Sequence, residues 1–223
     1  MDLDEAIRWV AHGNEIETRQ AIEEQARRED GTIRRAWVWL ALGDRLYKAD
    51  AYDRARVCYT EAYQADIDGS GEGRVRALMG IGNSLLMEQD YFGAKDSYHR
   101  ALVDAQSSLF QQGIAEALIQ LSEVERALGS LSVAESYAKQ ALSLNISLNR
   151  GSGMTRAARS LANLAQYLDA SANSQEARTL LRWATTQLGE AAGTEQSRHA
   201  LDIVTAAQRD LWSSGGMSKG NSN

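Results

Sequence analysis

A segment of 24 residues occurs four times in this chain, without gaps, and its starts lie 39, 40 and 43 residues apart. The copies occupy residues 39–62, 78–101, 118–141 and 161–184. Repeats of roughly 20 to 50 residues are typical of arrays in which one unit cannot bury its own apolar face and is stable only against its neighbours. The repeat therefore predicts stacked, similar units.

Three positions of every repeat hold only small residues. Each repeat is numbered here from three residues before its copy, so that position 1 is Ala36, Val75, Ala115 or Ala158. Small side chains are needed where two antiparallel helices approach closely, because a larger one would overpack the contact at a cost of about 1–3 kcal/mol. Positions 8, 20 and 27 hold, repeat by repeat, Gly43, Ala55 and Ala62; Gly82, Ala94 and Ala101; Ser122, Ala134 and Ala141; Ala165, Ala177 and Ala184.

Larger apolar residues fill positions 4, 7 and 11 of nearly every repeat. Together with position 8 they follow the three-and-four spacing of one helix face, which predicts a first helix, A, in each unit. The pattern breaks at residues 48–52, 88–91, 128–131 and 171–174, where we expect turns into a second helix, B. The chain contains no proline and no segment with the alternation of a strand, so the predicted fold class is all-α.

The first copy carries a family resemblance. Trp39, Leu42, Gly43 and Leu46, followed by Ala55 and Tyr59, resemble the tetratricopeptide repeat (TPR), and the resemblance extends over about residues 36–193. It implies a right-handed superhelix of antiparallel helix pairs. The repeats are longer than the usual length of about 34 residues and are similar to the long repeats of kinesin light chain and of bacterial peptide-responsive regulators. We expect the additional residues after helix B.

The ends of the chain differ from the repeats. Residues 1–35 contain two amphipathic patterns that predict a degenerate N-terminal helix pair. Residues 194–212 predict a C-terminal capping helix, which a repeat array needs to cover its last open face. We expect residues 213–223, rich in glycine and serine, to form a disordered tail.

Composition narrows the classes of function. The net charge of −6 and the pI near 5.2 argue against a nucleic-acid partner, because such proteins usually present a basic surface. The single cysteine, Cys58, forms neither an internal disulfide nor a thiolate metal site. No apolar run is long enough for a membrane span, and the first residues do not resemble a signal peptide, so a cytoplasmic location is expected.

None of the sequence motifs sought for an enzyme or a cofactor site is complete in this chain. Asp66, Asp68, Ser70 and Gly71 follow the start of a calcium-binding loop, but Ala77 stands where the bidentate glutamate belongs. The three histidines are scattered, and no phosphate-binding or dinucleotide-binding glycine motif is complete. The sequence therefore predicts no enzyme activity, no metal and no cofactor.

In the TPR family, positions 2, 5, 9, 12 and 13 of helix A line a concave groove that holds a peptide or a partner helix. Leu40 and Asp44 stand where the chaperone-binding members have lysine and asparagine, so that class of partner is not expected. Two explanations stay open for Trp37, ligand contact and packing against the N-terminal pair, and any groove position could be a solvated wall. The resemblance implies these groove residues: Trp37, Leu40, Asp44, Tyr47, Lys48, Arg76, Met79, Asn83, Met87, Glu123, Arg126, Arg159 and Gln166.

Two classes of function follow from this pattern. The first is a non-catalytic adaptor or scaffold that binds a peptide or helix of a partner protein in the groove. The alternative is a regulatory sensor module that responds to a ligand or peptide. Self-association is also open, and the sequence does not identify the partner.

Overall fold

The structure is a computed structural model that describes residue 20 and residues 32–66, 71–191 and 195–217. The predicted N-terminal helix pair lies almost entirely outside these residues, and so do residues 218–223 of the predicted tail. The last helix continues to Met217, beyond residue 212 where the sequence pattern ends. The helices of the ranges from 32 onwards are α1 (Thr32–Lys48), α2 (Tyr52–Ala65), α3 (Glu72–Met87), α4 (Tyr91–Ser107), α5 (Gln111–Ala127), α6 (Leu131–Ser147), α7 (Gly151–Ala170), α8 (Ser174–Glu190) and α9 (Glu195–Met217).

Six of these helices end in the same turn. In each, one residue adopts a left-handed conformation, and the N–H of the next residue donates to the carbonyl five residues earlier, as when Ala51 donates to Leu46 over 3.0 Å. This is the Schellman arrangement, which satisfies carbonyls that a helix end leaves without partners. The left-handed residues are Asp50, Gln89, Leu109, Gly129, Asn149 and Ala172.

The chain divides into two compact units, Met1–Ala117 and Leu118–Asn223, called here the N-terminal and C-terminal units. In the N-terminal unit α1 packs against α2, α3 against α4, and both α1 and α2 against α3. Its core includes Trp39, Leu42 and the fully buried Cys58. The small residues at positions 8, 20 and 27 of both repeats are buried, as expected where two helices approach closely.

In the C-terminal unit α7 contacts α6, α8 and α9, and α9 also packs against α8. The residues at positions 8, 20 and 27 are buried here as well. Polar groups enter this core: the hydroxyls of Ser122 and Ser160 lie 3.1 Å apart, and Ser122 also donates to the carbonyl of Ala134 over 2.9 Å. Glu125, which replaces leucine at position 11, is buried too.

Many of the additional residues of the longer repeats lie inside helices. We expected them after helix B, but α4 continues to Ser107 and α6 to Ser147, and α7 begins at Gly151. Gly151 and Gly153 are both part of α7. Gly153 is buried against the side chain of Asn145, which leaves no space for a Cβ atom.

Candidate functional site

A cavity of about 300 Å³ opens in the N-terminal unit between α1, α3 and the beginning of α5. Helix A of the first repeat supplies one wall, helix A of the second repeat supplies the other, and Phe110 and Glu116 close the third side. Its volume lies at the lower end of the range for ligand-binding pockets. The cavity is lined by Trp37, Leu40, Ala41, Asp44, Tyr47, Lys48, Tyr59, Val75, Arg76, Met79, Gly80, Asn83, Phe110 and Glu116.

The lining combines apolar and polar groups. Leu40 and Met79, at position 5 of their repeats, are almost completely buried, and Val75 is buried beside them. Gly80 also belongs to the lining, and the ring of Tyr59 fills the space that a side chain at Gly80 would occupy. A Cβ atom on Gly80 would lie 2.6 Å from Tyr59 Cε1. A partner side chain entering the cavity would therefore meet an apolar surface.

Trp37 and Arg76 form a cationic and aromatic edge of the cavity. The guanidinium of Arg76 lies 5.1 Å from the centroid of the Trp37 ring, a distance at which the ring attracts the cation. Glu72, one helical turn earlier, accepts from Arg76 Nε over 2.9 Å. Trp37 is 39% exposed, so part of the residue is accessible to solvent.

Two tyrosines of helix B reach the cavity wall from behind. The hydroxyl of Tyr59 on α2 donates to Asp44 Oδ1 on α1 over 2.9 Å. In the next repeat the hydroxyl of Tyr98 on α4 donates to Asn83 Oδ1 on α3 over 2.7 Å. Burial, and then the charge and hydrogen bond of Asp44, raise the pKa of Tyr59 well above its ordinary value. Position 24 of these repeats therefore holds position 9 in place.

A second pair of tyrosines marks the end of the cavity at the turn after α1. The rings of Tyr47 and Tyr52 meet edge to face with centroids 5.4 Å apart. Tyr52 donates to Asp50 Oδ1 over 2.7 Å, which, with some desolvation, raises the pKa of Tyr52 to about 12. Burial, followed by the charge of Asp50, raises the pKa of Tyr47. Lys48 is exposed beside them.

The predicted groove residues occupy different places. Trp37, Leu40, Asp44, Tyr47, Lys48, Arg76, Met79 and Asn83 line the cavity, whereas Met87 is half exposed and does not. The other four belong to the C-terminal unit. There Arg126 pairs with Glu123 over 3.0 Å, and Arg159 and Gln166 are exposed on α7.

Several lining residues were not expected from the sequence. Ala41, Val75 and Gly80 lie outside the positions implied by the resemblance, and Phe110 comes from the turn before α5. Tyr59, which the sequence presented only as part of the family resemblance, is buried in the core and also borders the cavity. The first two repeats share a tyrosine at position 24 and a polar residue at position 9, and this was the one signal that could have indicated the link.

The acidic segment between the first two repeats has a structural role at its described end. Asp66 is buried and accepts a hydrogen bond from the backbone N–H of Arg74 over 3.0 Å. It therefore satisfies an N–H in the first turn of α3. Asp68 and Ser70 lie outside the described residues. Within the described ranges, no three His, Cys, Asp or Glu side chains are grouped as metal ligands would be.

Within the described parts of the chain, no helix combines the length and the apolar character that crossing a membrane requires.

Solved structures with a similar fold come from helical repeat proteins. RapI in its apo form matches with a TM-score of 0.64 at 12% identity, covering 91% of this chain and 78% of that chain. A Rap protein complexed with Competence and Sporulation Factor gives 0.60 at 16% identity, covering 95% and 60%. A putative kinesin light chain of Podosopora anserina with TPR-like repeats gives 0.58 at 14% identity, covering 86% and 100%.

No family model matches the sequence, and no curated relative does. The similarity between this chain and these proteins therefore lies in the fold, because their sequence identity is low. The repeat pattern, the antiparallel helix pairs and these matches agree. The chain has the all-α fold of the TPR-type helical repeat proteins.

Proposed function

We propose that this chain is a non-catalytic interaction adaptor that binds a peptide or helix of a partner protein in the cavity of the N-terminal unit. The observation that carries the proposal is the cavity itself, which is bordered by helix A of two successive repeats and by the beginning of a third. The predicted cytoplasmic location belongs to the same proposal.

The chemistry of the lining suits a segment of protein. Trp37, Tyr47 and Met79 offer aromatic and polarisable surface, which is enriched where proteins bind one another. Four further residues bring two charges of each sign to the lining: Asp44, Lys48, Arg76 and Glu116. Such a surface can contact both the apolar side chains and the polar backbone of a peptide.

A binding experiment with matched variants tests the proposal. Random linear peptides displayed on phage would be selected on the wild-type protein, and the tightest would be synthesised for affinity measurements. We expect Met79→Ala and Asn83→Ala each to weaken the peptide about tenfold, equivalent to about 1.4 kcal/mol. Phe92→Ala is the control, because Phe92 is highly exposed on α4 and is not part of the cavity lining.

Two results would contradict the proposal. One is the failure to select any peptide. The other is a selected peptide whose affinity is unchanged by Met79→Ala and Asn83→Ala, which would place its contacts elsewhere. Retention of helicity in both variants must accompany the measurement, so that unfolding is not read as lost binding.

A second candidate function is a regulatory sensor that responds to a peptide. It is favoured by the similarity of fold to the Rap protein that was solved with Competence and Sporulation Factor. Amide hydrogen exchange distinguishes the two candidates. An adaptor should gain protection near the cavity when the selected peptide binds, whereas a sensor should also show changed protection in α7 and α8.

A further inference from the structure

We infer that Tyr98 is a positioning residue that makes Asn83 a hydrogen-bond donor toward the cavity, so that Asn83 recognises a main-chain carbonyl of the bound segment. The inference rests on the proposed function, because it assigns the chemistry of one contact in the same cavity.

The geometry begins behind the cavity wall. Tyr98 is fully buried on α4, and its hydroxyl donates to Asn83 Oδ1 over 2.7 Å. A carboxamide has one acceptor oxygen and one nitrogen with two donor hydrogens. Since the oxygen is held by Tyr98, the NH₂ group lies on the other side of the carboxamide group. Asn83 lines the cavity, so this NH₂ group is available to a ligand there.

The preceding repeat provides the contrasting case. Tyr59 makes the same bond to Asp44, over 2.9 Å, at the equivalent positions 24 and 9. An ionised carboxylate has two equivalent oxygens and only accepts hydrogen bonds. Rotating Asp44 by half a turn therefore presents the same chemistry to the cavity, whereas rotating Asn83 exchanges a donor for an acceptor. Only in the second repeat, therefore, does the tyrosine hydroxyl decide whether the side chain at position 9 presents a donor or an acceptor to the cavity.

The two side chains together match an extended peptide backbone. The residues at position 9 of two adjacent A helices lie about as far apart as the axes of packed helices, roughly 8–10 Å. An extended chain advances about 3.3 Å per residue and presents a carbonyl and an N–H at each. A segment across the cavity could therefore place a carbonyl at Asn83 and, about three residues away, an N–H at Asp44. The apolar surface of Leu40 and Met79 would receive a side chain between them.

The test compares two identical substitutions, measured with the peptide selected above. Tyr98→Phe removes the hydroxyl that orients Asn83, and we expect it to weaken the peptide about fivefold, within the range for one hydrogen bond. Tyr59→Phe removes the same group behind Asp44, and we expect a change of less than about twofold. Both variants lose one partly buried hydrogen bond between a tyrosine of helix B and position 9 of helix A.

A second arm isolates the orientation of the carboxamide. Asn83→Asp keeps an acceptor for Tyr98 but presents an oxygen to the ligand, so it should weaken binding at least as much as Asn83→Ala. In that background Tyr98→Phe should cause no further loss, because a carboxylate has no orientation to lose. The NMR signal of the Asn83 side-chain NH₂ should shift on peptide addition in the wild-type protein and shift less in Tyr98→Phe, a difference that a purely structural tyrosine would not give.

The outcomes separate this inference from the proposed function. If Tyr98→Phe weakens the peptide no more than Tyr59→Phe, or does so equally in the Asn83→Asp background, Tyr98 does not orient Asn83 and the inference is wrong. An unchanged Asn83 NH₂ signal would contradict it as well. In each of these cases the cavity remains the peptide site if Met79→Ala weakens binding. If Met79→Ala and Asn83→Ala have no effect, the proposed function fails first.

Discussion

At the scale of single residues, a glycine packs closely against a tyrosine in both repeats of the N-terminal unit. A Cβ atom on Gly43 would lie 2.6 Å from Tyr59 Cε1, and one on Gly82 would lie 2.5 Å from Tyr98 Cε1. The later repeats have Ser122 and Ala165 at the glycine position, with Ala138 and Leu181 at the tyrosine position. Across the four repeats, therefore, the smallest residue at position 8 accompanies the largest residue at position 24.

This match predicts the effect of adding one methyl group. Gly82→Ala should lower the free energy of unfolding by about 1–3 kcal/mol, because the buried ring of Tyr98 cannot move away without disturbing the core. Urea unfolding followed by circular dichroism measures the change. Gly189→Ala on α8 is the control, since nothing lies within 4 Å of its Cβ position. There we expect a gain of up to about 1 kcal/mol from helix propensity.

A compensating variant sharpens the same prediction. Combining Gly82→Ala with Tyr98→Leu reproduces the pairing found in the fourth repeat, Ala165 with Leu181. We expect the double variant to be more stable than the sum of the two single effects. Simple additivity would show that the two side chains are not coupled.

The buried hydroxyl of Tyr59 predicts a dependence of stability on alkaline pH. Burial and Asp44 raise the pKa of Tyr59, so the folded state holds the proton more tightly than the unfolded state, where the pKa is about 10. The contribution of Tyr59 is therefore complete below about pH 10 and is lost as the pH rises above that value.

Urea unfolding of the wild type and of Tyr59→Phe at several pH values measures this dependence. The variant should be less stable by about 1 kcal/mol at neutral pH, because it lacks the hydrogen bond to Asp44. Its stability should also fall less steeply above about pH 10 than that of the wild type. Two parallel curves would show that Tyr59 does not contribute to the alkaline transition.

At the scale of secondary-structure elements, the six similar turns determine where helices end. Five of them place a residue with a side chain in the left-handed region, where φ lies between 50° and 65°, and only the turn at Gly129 uses glycine. A side chain there costs about 1–2 kcal/mol in an L-residue, less for Asn and Asp. The turns at Leu109 and Ala172 therefore place the backbone in a conformation that is unfavourable for their side chains.

At the turn of Ala172, a change from alanine to glycine is expected to stabilise the protein, although the same change usually destabilises a helix. Ala172→Gly should raise the free energy of unfolding by about 1 kcal/mol, because its φ of 65° is one that glycine adopts readily. The same substitution at Ala206, exposed in the middle of α9, should lower it by about as much. Thermal and urea unfolding of both variants give the comparison, and equal signs at the two sites would refute the explanation.

At the scale of the whole molecule, the sequence predicted the fold class more completely than the site. The recurring small residues predicted helix pairs because close helix contacts tolerate few side chains, and those residues are buried. The additional residues were expected after helix B, but Gly153 lies within α7, where its lack of a side chain makes space for Asn145. Phe110 was missed because a turn residue has no repeat position, although it closes one side of the cavity.

The groove residues show a further limit of reasoning from sequence. Positions along helix A indicate which residues share a face, and eight of them do line the cavity of the N-terminal unit. The pattern does not show that Glu123 and Arg126 neutralise one another on α5, because charge pairing depends on rotamers. It also does not reveal that tyrosine hydroxyls of helix B reach position 9 of helix A, because that contact depends on the distance between the helices.

Repeat arrays transmit a local loss of stability mainly to adjacent helices. Val204 is fully buried on α9, which packs against α7 and α8 in the C-terminal unit. Val204→Ala should lower stability by about 2 kcal/mol and reduce amide protection most in α7 and α8. Asp202→Ala, exposed on the same helix, is the control. Uniform loss of protection from α1 to α9 would indicate a single cooperative unit instead.

The buried thiol of Cys58 is a chemical probe of how often the core of the first repeat opens. The sequence contains one cysteine, and in the folded protein it is fully enclosed in the core beside Tyr59. A thiol reagent can react only in molecules in which this core has opened, so the rate of modification under native conditions measures how often the core opens. Since the cavity shares α1 with this core, a ligand that holds the cavity closed should slow the reaction.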